Sequence, residues 1–294
     1  MHSVLRLALA CVTLLSLSAC SRPRTIIVGS KNTTEQLILG EVIAQHLENR
    51  LATRVHRVFN LSGTLIAYQA LAGGQLDVYP EYAGAALSAI LRLPPDYDRP
   101  AVIERVRMEY ARRNLTWMAP LGFEGGYAIA VRAADAKARN LDTLSDAAAA
   151  SGRGWQLGAG YEFLERPDGW RPFMRAYGMT MSGPPKPLES AVVFRTLSTG
   201  GISMAAGSST DGFLSAPDLK VLRDDRSAFP PGDAALAVRS DSLASIPRLR
   251  ESLEELSGRF GGGVIQRLNS RVDRKELTTE SAAREFLKSS GLAR

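Results

Sequence analysis

The sequence predicts an α/β fold in which two lobes are joined by two crossover strands. Short apolar runs alternate with longer amphipathic segments, the pattern of an α/β architecture with mostly parallel strands. Two near copies of one strand, Tyr127–Arg132 (YAIAVR) and Asp233–Arg239 (DAALAVR), each follow a loop rich in glycine or proline and bracket a compact α/β block. We interpret them as a pair of strands that cross between two lobes, which would let the lobes close on a ligand. The alternative is two unrelated alanine-rich strands.

This repeat divides the chain into two predicted units. We expect lobe 1 to comprise residues 25–127 and 235–294, and lobe 2 to comprise residues 128–234. Strands are predicted at 25–28, 54–61, 76–79, 155–159 and 202–206, and helices at 34–50, 64–72, 101–114, 189–197, 247–259, 263–270 and 279–289.

The N-terminus is typical of an exported protein. Arg6 precedes an apolar run, 7–17, that is too short to span a bilayer and is followed by small residues, so residues 1–19 are predicted to be a signal peptide. Leu-Ser-Ala-Cys at 17–20 resembles the bacterial lipobox, which implies that Cys20 is lipidated and that residues 20–24 form a short tether to the membrane. A plain signal peptide with a chance cysteine, or an uncleaved anchor, is the alternative.

Composition excludes several classes of function. The net charge is +6, but the basic residues are scattered without interleaved aromatic residues, so we expect no nucleic-acid partner. The cysteine that remains after the signal, Cys20, has no partner for a disulfide. His46 and His56 stand alone, no spacing suggests a metal site, and no GxSxG elbow is present, so we expect neither an enzyme nor a cofactor.

The stretch Thr25–Glu41 carries the first candidate site. A short buried strand ends at a turn, and Asn32 or Thr33 can cap the helix that follows, with an acid or amide three residues on as a capping box requires. Free N–H groups at the helix start and the charge of Lys31 beside them suit a carboxylate or another small anion. The alternative is an ordinary turn with a solvated lysine.

Six motifs in order carry a resemblance to a known family. They are GSKNTTEQLILGE, DVYPEYAGAAL, LGFEGGYAIAV, EFLERPDG, STDGF and FPP…AALAVR. Together they resemble the osmoprotectant-binding (glycine betaine/carnitine/choline) components of ABC importers over residues 25–292. The resemblance implies a two-lobed type II periplasmic-binding-protein fold, a monomer that faces the periplasm or the cell surface, and permease subunits as partners.

The resemblance also implies a ligand site in the interlobe cleft. A methylated ammonium donates no N–H bonds, so the family holds it in a cage of tyrosines by cation–π attraction, and Tyr82 and Tyr127 match two of these. The basic residues that meet a carboxylate fall on Lys31 and Arg166, with Glu162 as an acidic neighbour.

At three positions this chain departs from the family pattern. A threonine of the family is Ala85 here, and two cage aromatics fall on Ser208 and Gly232. Losing two cation–π contacts of about 0.5–2 kcal/mol each weakens binding of a quaternary ammonium, whereas Ser208 could donate a hydrogen bond to a more polar ligand. Side chains that could refill the space are Tyr79, Tyr161 and Trp170.

The expected function is that of an extracytoplasmic solute-binding lipoprotein. It would deliver a small zwitterionic or quaternary ammonium solute, such as glycine betaine, carnitine or choline, to an ABC importer. Two alternatives stay open, because half of the cage is replaced. One is a binding protein for another small carboxylate or amino-acid-like ligand, and the other is a ligand-sensing partner without a role in transport.

Overall fold

The structure is a computed structural model that describes residues 24–261 and 263–293. The predicted signal peptide, Cys20 and residues 21–23 of the predicted tether lie outside the described residues. The chain forms two five-stranded sheets, each covered by helices, and two crossover segments connect them. The predicted α/β fold with two lobes and two crossover strands is therefore confirmed.

The first sheet has the order β2-β1-β3-β10-β4. Its strands are β1 (Ile26–Lys31), β2 (Val55–Leu61), β3 (Val78–Tyr82), β4 (Leu115–Trp117) and β10 (Ala234–Arg239). Ile26 and Val28 are fully buried against one layer of helices, and Ile27 packs on the opposite side. Strand β1 is thus covered on both faces, which explains why it reads as a continuous apolar run.

The second sheet has the order β7-β6-β8-β5-β9. Its strands are β5 (Tyr127–Arg132), β6 (Leu157–Ala159), β7 (Lys186–Pro187), β8 (Met204–Ser208) and β9 (Leu219–Leu222). Trp155 is buried in the core beside this sheet and donates a hydrogen bond of 2.9 Å from Nε1 to the carbonyl of Ala147. The indole ring of Trp155 therefore packs in the core while its N–H group has a hydrogen-bond acceptor.

Strand direction differs from the prediction of mostly parallel strands. β1 is parallel to β2 and β3, and β6 is parallel to β7 and β8, but β10 is antiparallel to β3 and β4, and β5 is antiparallel to β8 and β9. The two crossover strands enter each sheet from the opposite end, so each sheet is mixed.

Helices cover both sheets. Around the first sheet lie α1 (Thr34–Leu51), α2 (Thr64–Ala72), α3 (Ala83–Ala85, continued by a π-helical turn at Ala86–Ile90), α4 (Arg99–Ala111), α10 (Ser240–Ser245), α11 (Leu249–Glu254), α12 (Val264–Asp273) and α13 (Thr279–Ser289). Around the second lie α5 (Ala133–Arg139), α6 (Leu144–Ala149), α7 (Tyr161–Glu165), α8 (Trp170–Tyr177) and α9 (Val193–Ser198), with 3₁₀ turns at Ser190–Val192 and Gly212–Ser215. In the described part of the chain, none of these helices has the length and apolar character to span a membrane.

Two predicted helices are wrong in extent. The helix predicted at 247–259 is α11, which covers only Leu249–Glu254. It begins two residues late because Arg248 adopts a left-handed φ of 62°. The helix predicted at 189–197 splits into the 3₁₀ turn at Ser190–Val192 and α9. By contrast, the predicted helices 34–50, 64–72 and 279–289 agree with α1, α2 and α13 to within a residue at each end.

The two crossover segments, 123–126 and 232–234, run antiparallel and are hydrogen-bonded to each other. Gly125 donates a hydrogen bond of 2.8 Å to the carbonyl of Gly232, and Ala234 donates one of 3.1 Å to the carbonyl of Phe123. A Cβ placed on Gly232 would lie 2.8 Å from the nitrogen of Gly126 and 2.9 Å from backbone atoms of Gly125. The close approach of two backbones therefore requires glycine at this position.

Arg99 bridges the two crossover segments from outside. Its Nε lies 2.9 Å from both carboxylate oxygens of Asp233, which is fully buried, and its Nη1 lies 3.2 Å from Glu124. Near the described N-terminus, Arg24 contacts Asp77 at 2.8 Å, and the other oxygen of Asp77 accepts a bond of 2.7 Å from the amide of Ile27. The start of the described chain is thus fixed to the first sheet.

Candidate solute-binding cleft

A cavity of about 360 Å³ lies between the two sheets, close to the crossover segments. Its wall includes side chains from both sheets and from the turns that follow their strands. All six residues predicted to bind ligand line it: Lys31, Tyr82, Tyr127, Glu162, Arg166 and Ser208. The structure therefore brings together residues that are far apart in the sequence.

Lys31 lies at the end of β1 and is buried, with 3% of its surface exposed. Its ammonium group contacts Glu81 at 2.6 Å and Thr64 at 3.3 Å, and lies 4.5 Å from the centre of the Tyr82 ring. Glu81 is fully buried, so its charge compensates that of Lys31. Sequence analysis did not single out Glu81, although it lies beside Tyr82 in the same motif.

Thr33 caps the helix that follows Lys31. Its hydroxyl oxygen accepts a hydrogen bond from the amide of Gln36, which confirms the predicted start of α1. The Gln36 side chain accepts from the amide of Lys31 at 3.4 Å and donates to the hydroxyl of Tyr82 at 3.0 Å. The helix start therefore positions both the lysine and the tyrosine at the wall of the cavity.

Arg166 follows α7 and forms a two-pronged ion pair with Asp168. Its Nε and Nη2 donate to the two carboxylate oxygens at 2.9 Å and 2.5 Å, and Asp168 is 3% exposed. The guanidinium carbon lies 5.3 Å from the centre of the Tyr127 ring. Burial alone would lower the pKa of Arg166, but the charge and the hydrogen bonds of Asp168 raise it well above its usual value, so the guanidinium stays charged.

Glu162 crosses the cleft to cap a helix of the first sheet. Its carboxylate accepts a hydrogen bond of 2.7 Å from the amide of Thr64, the first residue of α2. The capping residue itself, Gly63, has a φ of 99° and no side chain to serve this amide. Burial would raise the pKa of Glu162, but the charges of Lys31 and Arg166 and the Thr64 amide outweigh it and lower the pKa.

Tyr127 begins β5 at the first crossover. Its ring meets Phe163 edge-on at 5.0 Å and Phe229 at 5.6 Å. Within residues 24–261 and 263–293, its buried hydroxyl has no hydrogen-bond partner. Burial raises the pKa of this hydroxyl well above its usual value, so it is protonated.

A chain of hydroxyl groups connects Ser208 to the other side of the cleft. Ser208 Oγ lies 2.8 Å from Thr210 Oγ1, and Thr210 donates to the carboxylate of Glu35 at the start of α1. Glu35 also accepts from the hydroxyl of Tyr82. Asn269 on α12 donates from Nδ2 to the carbonyl of Thr210 at 2.8 Å. The turn after β8 is thus hydrogen-bonded to α1 and α12, two helices that cover the first sheet.

Three carboxylates lie along this part of the wall: Glu35, Asp211 and Asp273. Burial raises the pKa of Glu35 and of Asp273. Burial, together with the charges of Asp273 and Glu35, raises the pKa of Asp211 to about 7, although a bond from the Phe213 amide acts the other way. Sequence analysis considered Glu35, the acid three residues after Asn32, only as part of a capping box, and it did not single out Asp273. Neither had a local signal of a binding role, because α1, α12 and the turn are distant in sequence.

The incomplete aromatic cage is not refilled by the residues proposed for that role. Tyr79 is fully buried and donates to Glu81, Tyr161 is 62% exposed, and Trp170 packs on Phe173. None of the three lines the cavity, whereas Phe163 does, and sequence analysis did not single it out. Ala85, Ser208 and Gly232, the three positions at which the resemblance led us to expect larger groups, also line the cavity. Among the described residues, no group of histidine, cysteine, aspartate and glutamate could hold a metal ion.

Residues 24–289 match the family described as the substrate binding domain of ABC-type glycine betaine transport system. The chain belongs to this family. Members of this glycine betaine transport family are solute-binding proteins of ABC importers that lie outside the cytoplasm, bind small ligands and interact with permease subunits. The predicted two-lobed type II periplasmic-binding-protein fold is confirmed as well.

Similar proteins from this family cover nearly the whole chain. The carnitine transport binding protein of Listeria monocytogenes is 30% identical over 285 residues, which is 93% of this chain and 91% of that protein. A glycine-betaine-binding protein of Pseudomonas aeruginosa is 30% identical over 291 residues, covering 96% of this chain and 93% of that protein. A solved structure described as a glycine betaine/carnitine/choline ABC transporter has a TM-score of 0.76 and 28% identity, covering 91% of this chain and 99% of that chain.

Proposed function

We propose that the protein is a lipid-anchored binding protein that captures a small zwitterionic or quaternary ammonium solute in the cleft and delivers it to an ABC permease. The observation that carries this proposal is the cavity of about 360 Å³ lined by all six predicted binding residues in a chain of this family. A cavity of this size, closed from two sides, is of the kind that buries most of a small ligand.

Closure would couple binding to delivery. In this proposal, two units move about the crossover segments. One comprises residues 25–127 and 235–294, and the other comprises residues 128–234. The Glu162–Thr64 and Thr210–Glu35 bonds form only when the units meet, and a solute between them adds contacts to both. Binding therefore shifts the population towards a closed form that the permease can distinguish from the open form.

The site residues would have different roles in binding. Lys31 and Arg166 provide positive charge, and the Tyr82 and Tyr127 rings provide aromatic surface. Glu162 secures closure, and Ser208 offers a hydroxyl group to the solute. The second candidate is a binding protein for a small carboxylate or amino-acid-like solute, or a ligand-sensing partner that retains this cleft. It is favoured by the absence of aromatic side chains at Ser208 and Gly232.

Calorimetric titration tests the binding proposal. The chain from residue 21 onward would be titrated with glycine betaine, carnitine and choline, beside the variants Arg166→Ala and, as a matched control on the exposed face of α8, Arg171→Ala. We expect binding in the wild type and the control and its loss in Arg166→Ala. Absence of heat with all three solutes, from a protein that is folded by circular dichroism, would contradict the osmoprotectant assignment and direct the search to other small carboxylates and amino acids.

Fractionation tests the anchor. We expect the full chain to sediment with membranes and to be extracted by detergent, and Cys20→Ala to appear in the soluble exported fraction. Equal membrane association of both forms would contradict lipidation at Cys20.

A further inference from the structure

We propose that one end of the first sheet is a docking surface for the anionic headgroups of a membrane. We name this surface the basic face and define it by five arginines: Arg24, Arg54, Arg112, Arg113 and Arg239. It lies outside the cleft, and its test needs neither a solute nor a lipid on the chain. The inference therefore goes beyond the proposed function.

Strand register places Arg24 and Arg54 side by side. Arg54 directly precedes β2, and the first residue of that strand, Val55, pairs with Ile26 in β1. Because β1 and β2 are parallel, both arginines lie where these strands begin. Arg24 is held there by its contact of 2.8 Å with Asp77, which directly precedes β3.

The other three arginines reach the same end through the antiparallel strand β10. Arg239 is the last residue of β10, and its amide donates a hydrogen bond of 2.9 Å to the carbonyl of Asp77. Arg239 also pairs with Leu115, the first residue of β4. Arg112 and Arg113 lie between the end of α4 and this strand. All five arginines are therefore gathered where β1, β2, β3 and β4 begin and β10 ends.

The arginines of the basic face are more exposed than most of the carboxylates that pair with them. The side chains of Arg24 and Arg112 are 49% and 71% exposed, whereas those of their partners, Asp77 and Glu109, are 3% and 12% exposed. Arg54 is exposed and has no ion-pair partner in the described part of the chain. A guanidinium group has five N–H donors, so one that binds a carboxylate on its inner side keeps donors for a phosphate on its outer side.

The balance of charge at this end favours an anionic partner. The acids paired with the five arginines are Asp77, Glu109 and Asp241, so positive charge remains in excess with every ion pair intact. Each arginine close to an anionic membrane surface strengthens binding about fivefold. Phosphate oxygens also suit the fork of a guanidinium group, which binds them through two parallel hydrogen bonds.

The position of the basic face is compatible with capture of a solute. Strands β1 and β3 run from this face to the cleft, which they reach at Lys31 and Tyr82. A membrane surface against the basic face therefore leaves the cleft free. The tether predicted from sequence joins the folded body at Arg24, so the lipid proposed at Cys20 would lie beside the same face.

Co-sedimentation with lipid vesicles tests the proposal. The chain from residue 21 onward, which lacks the cysteine, would be mixed with vesicles of phosphatidylcholine alone or with equal parts of phosphatidylglycerol. We expect binding to the anionic vesicles at low salt, at least about tenfold weaker binding to the neutral vesicles, and release in about 1 M salt, where the Debye length is about 3 Å. Failure to bind the anionic vesicles, or equal binding to both kinds, would overturn the inference.

Two triple variants with the same change of net charge separate the basic face from the general basic character of the chain. The first carries Arg54→Gln, Arg112→Gln and Arg113→Gln. The second carries the same change at three exposed arginines beside the second sheet, Arg153→Gln, Arg171→Gln and Arg175→Gln. We expect binding to anionic vesicles to weaken about a hundredfold in the first variant and less than about threefold in the second.

Equal weakening in the two variants would overturn the inference, because net charge alone would then explain the binding. Neither set of arginines lines the cleft, so the solute titration remains a separate test of the proposed function.

Discussion

The carboxylate of Glu162 on α7 accepts a hydrogen bond of 2.7 Å from the backbone amide of Thr64, so that a side chain packed beside the second sheet caps a helix of the first. Gly63 provides no cap of its own for that helix. The Thr64 amide is therefore capped only while the two lobes are in contact, so a substitution at Glu162 tests lobe closure specifically.

Replacement of Glu162 by alanine should shift the protein towards an open form. The loss of one charge-assisted hydrogen bond that is partly exposed is expected to cost about 1 kcal/mol, which is about a fivefold change in the closed population. Small-angle scattering should show a larger radius of gyration for Glu162→Ala. The exposed neighbour Glu165→Ala on the same helix serves as the control and should scatter as the wild type. Identical radii for all three proteins would contradict a role for Glu162 in closure.

Replacement of Glu81 by glutamine should strongly destabilise the folded state. Lys31 would keep a buried charge without its partner at 2.6 Å, and such a change costs about 3–5 kcal/mol. Urea unfolding followed by circular dichroism measures the free energy of unfolding. Glu104→Gln removes one partner of an exposed pair with Arg107 and should cost less than about 1 kcal/mol. If both variants lost a similar free energy of unfolding, burial of the Lys31–Glu81 pair would not increase its contribution to stability.

Asp211 should make the stability of the protein depend on pH. Its carboxyl group has a pKa of about 7 in the folded protein against 3.8 in its ordinary state, so the folded protein holds more protons between these values. The contribution of Asp211 to the free energy of unfolding is therefore greatest below pH 3.8, falls as the pH rises to about 7, and is constant above that. The groups that face it are Glu35, Asp273 and the amide of Phe213.

The variant Asp211→Asn isolates this contribution, since asparagine keeps an oxygen for the Phe213 amide but does not ionise. We expect the difference in melting temperature, variant minus wild type, to grow as the pH is raised from 4 to 7. Scanning calorimetry across that range measures it. If the melting temperatures of variant and wild type differed by the same amount at every pH, Asp211 would titrate near its ordinary pKa.

Substitution of Gly232 by alanine should destabilise the crossover. The added Cβ meets backbone atoms at 2.8–2.9 Å, which cannot move as the end of a flexible side chain can, and overpacking of this kind costs about 1–3 kcal/mol. Gly126→Ala is the matched control on the facing segment, because a Cβ there has nothing within 4 Å. Thermal unfolding should place Gly232→Ala below the control. A melting temperature of Gly232→Ala above that of Gly126→Ala would show that the two crossover segments can move apart at little cost.

Local patterns were sufficient for those parts of the molecule that depend on neighbours in sequence. The β1 strand, the Thr33 cap and the paired crossover strands follow from apolar runs, capping chemistry and a repeat. The positions of Tyr82 and Tyr127 at the cavity were expected only because of the family resemblance, since a tyrosine near a turn has no signal of its own.

Other parts depend on contacts that no local pattern encodes. The pairing of Lys31 with Glu81 requires β1 and β3 to be neighbours, and the hydrogen bond from Asn269 to the carbonyl of Thr210 forms only once α12 meets the turn after β8. The short β9 was missed because it has four residues and pairs with a crossover strand.

With the proposed lipid anchor at Cys20, the contact between Arg24 and Asp77 would limit how far the protein can stand from a membrane. Arg24 is bound at 2.8 Å to Asp77, which directly precedes the central strand β3, so only residues 20–23 would separate a lipid on Cys20 from a fixed point on the folded body. Four residues at full extension reach about 14 Å. With the proposed anchor, the first lobe would therefore be held against the headgroup layer and would search for its permease by moving in two dimensions.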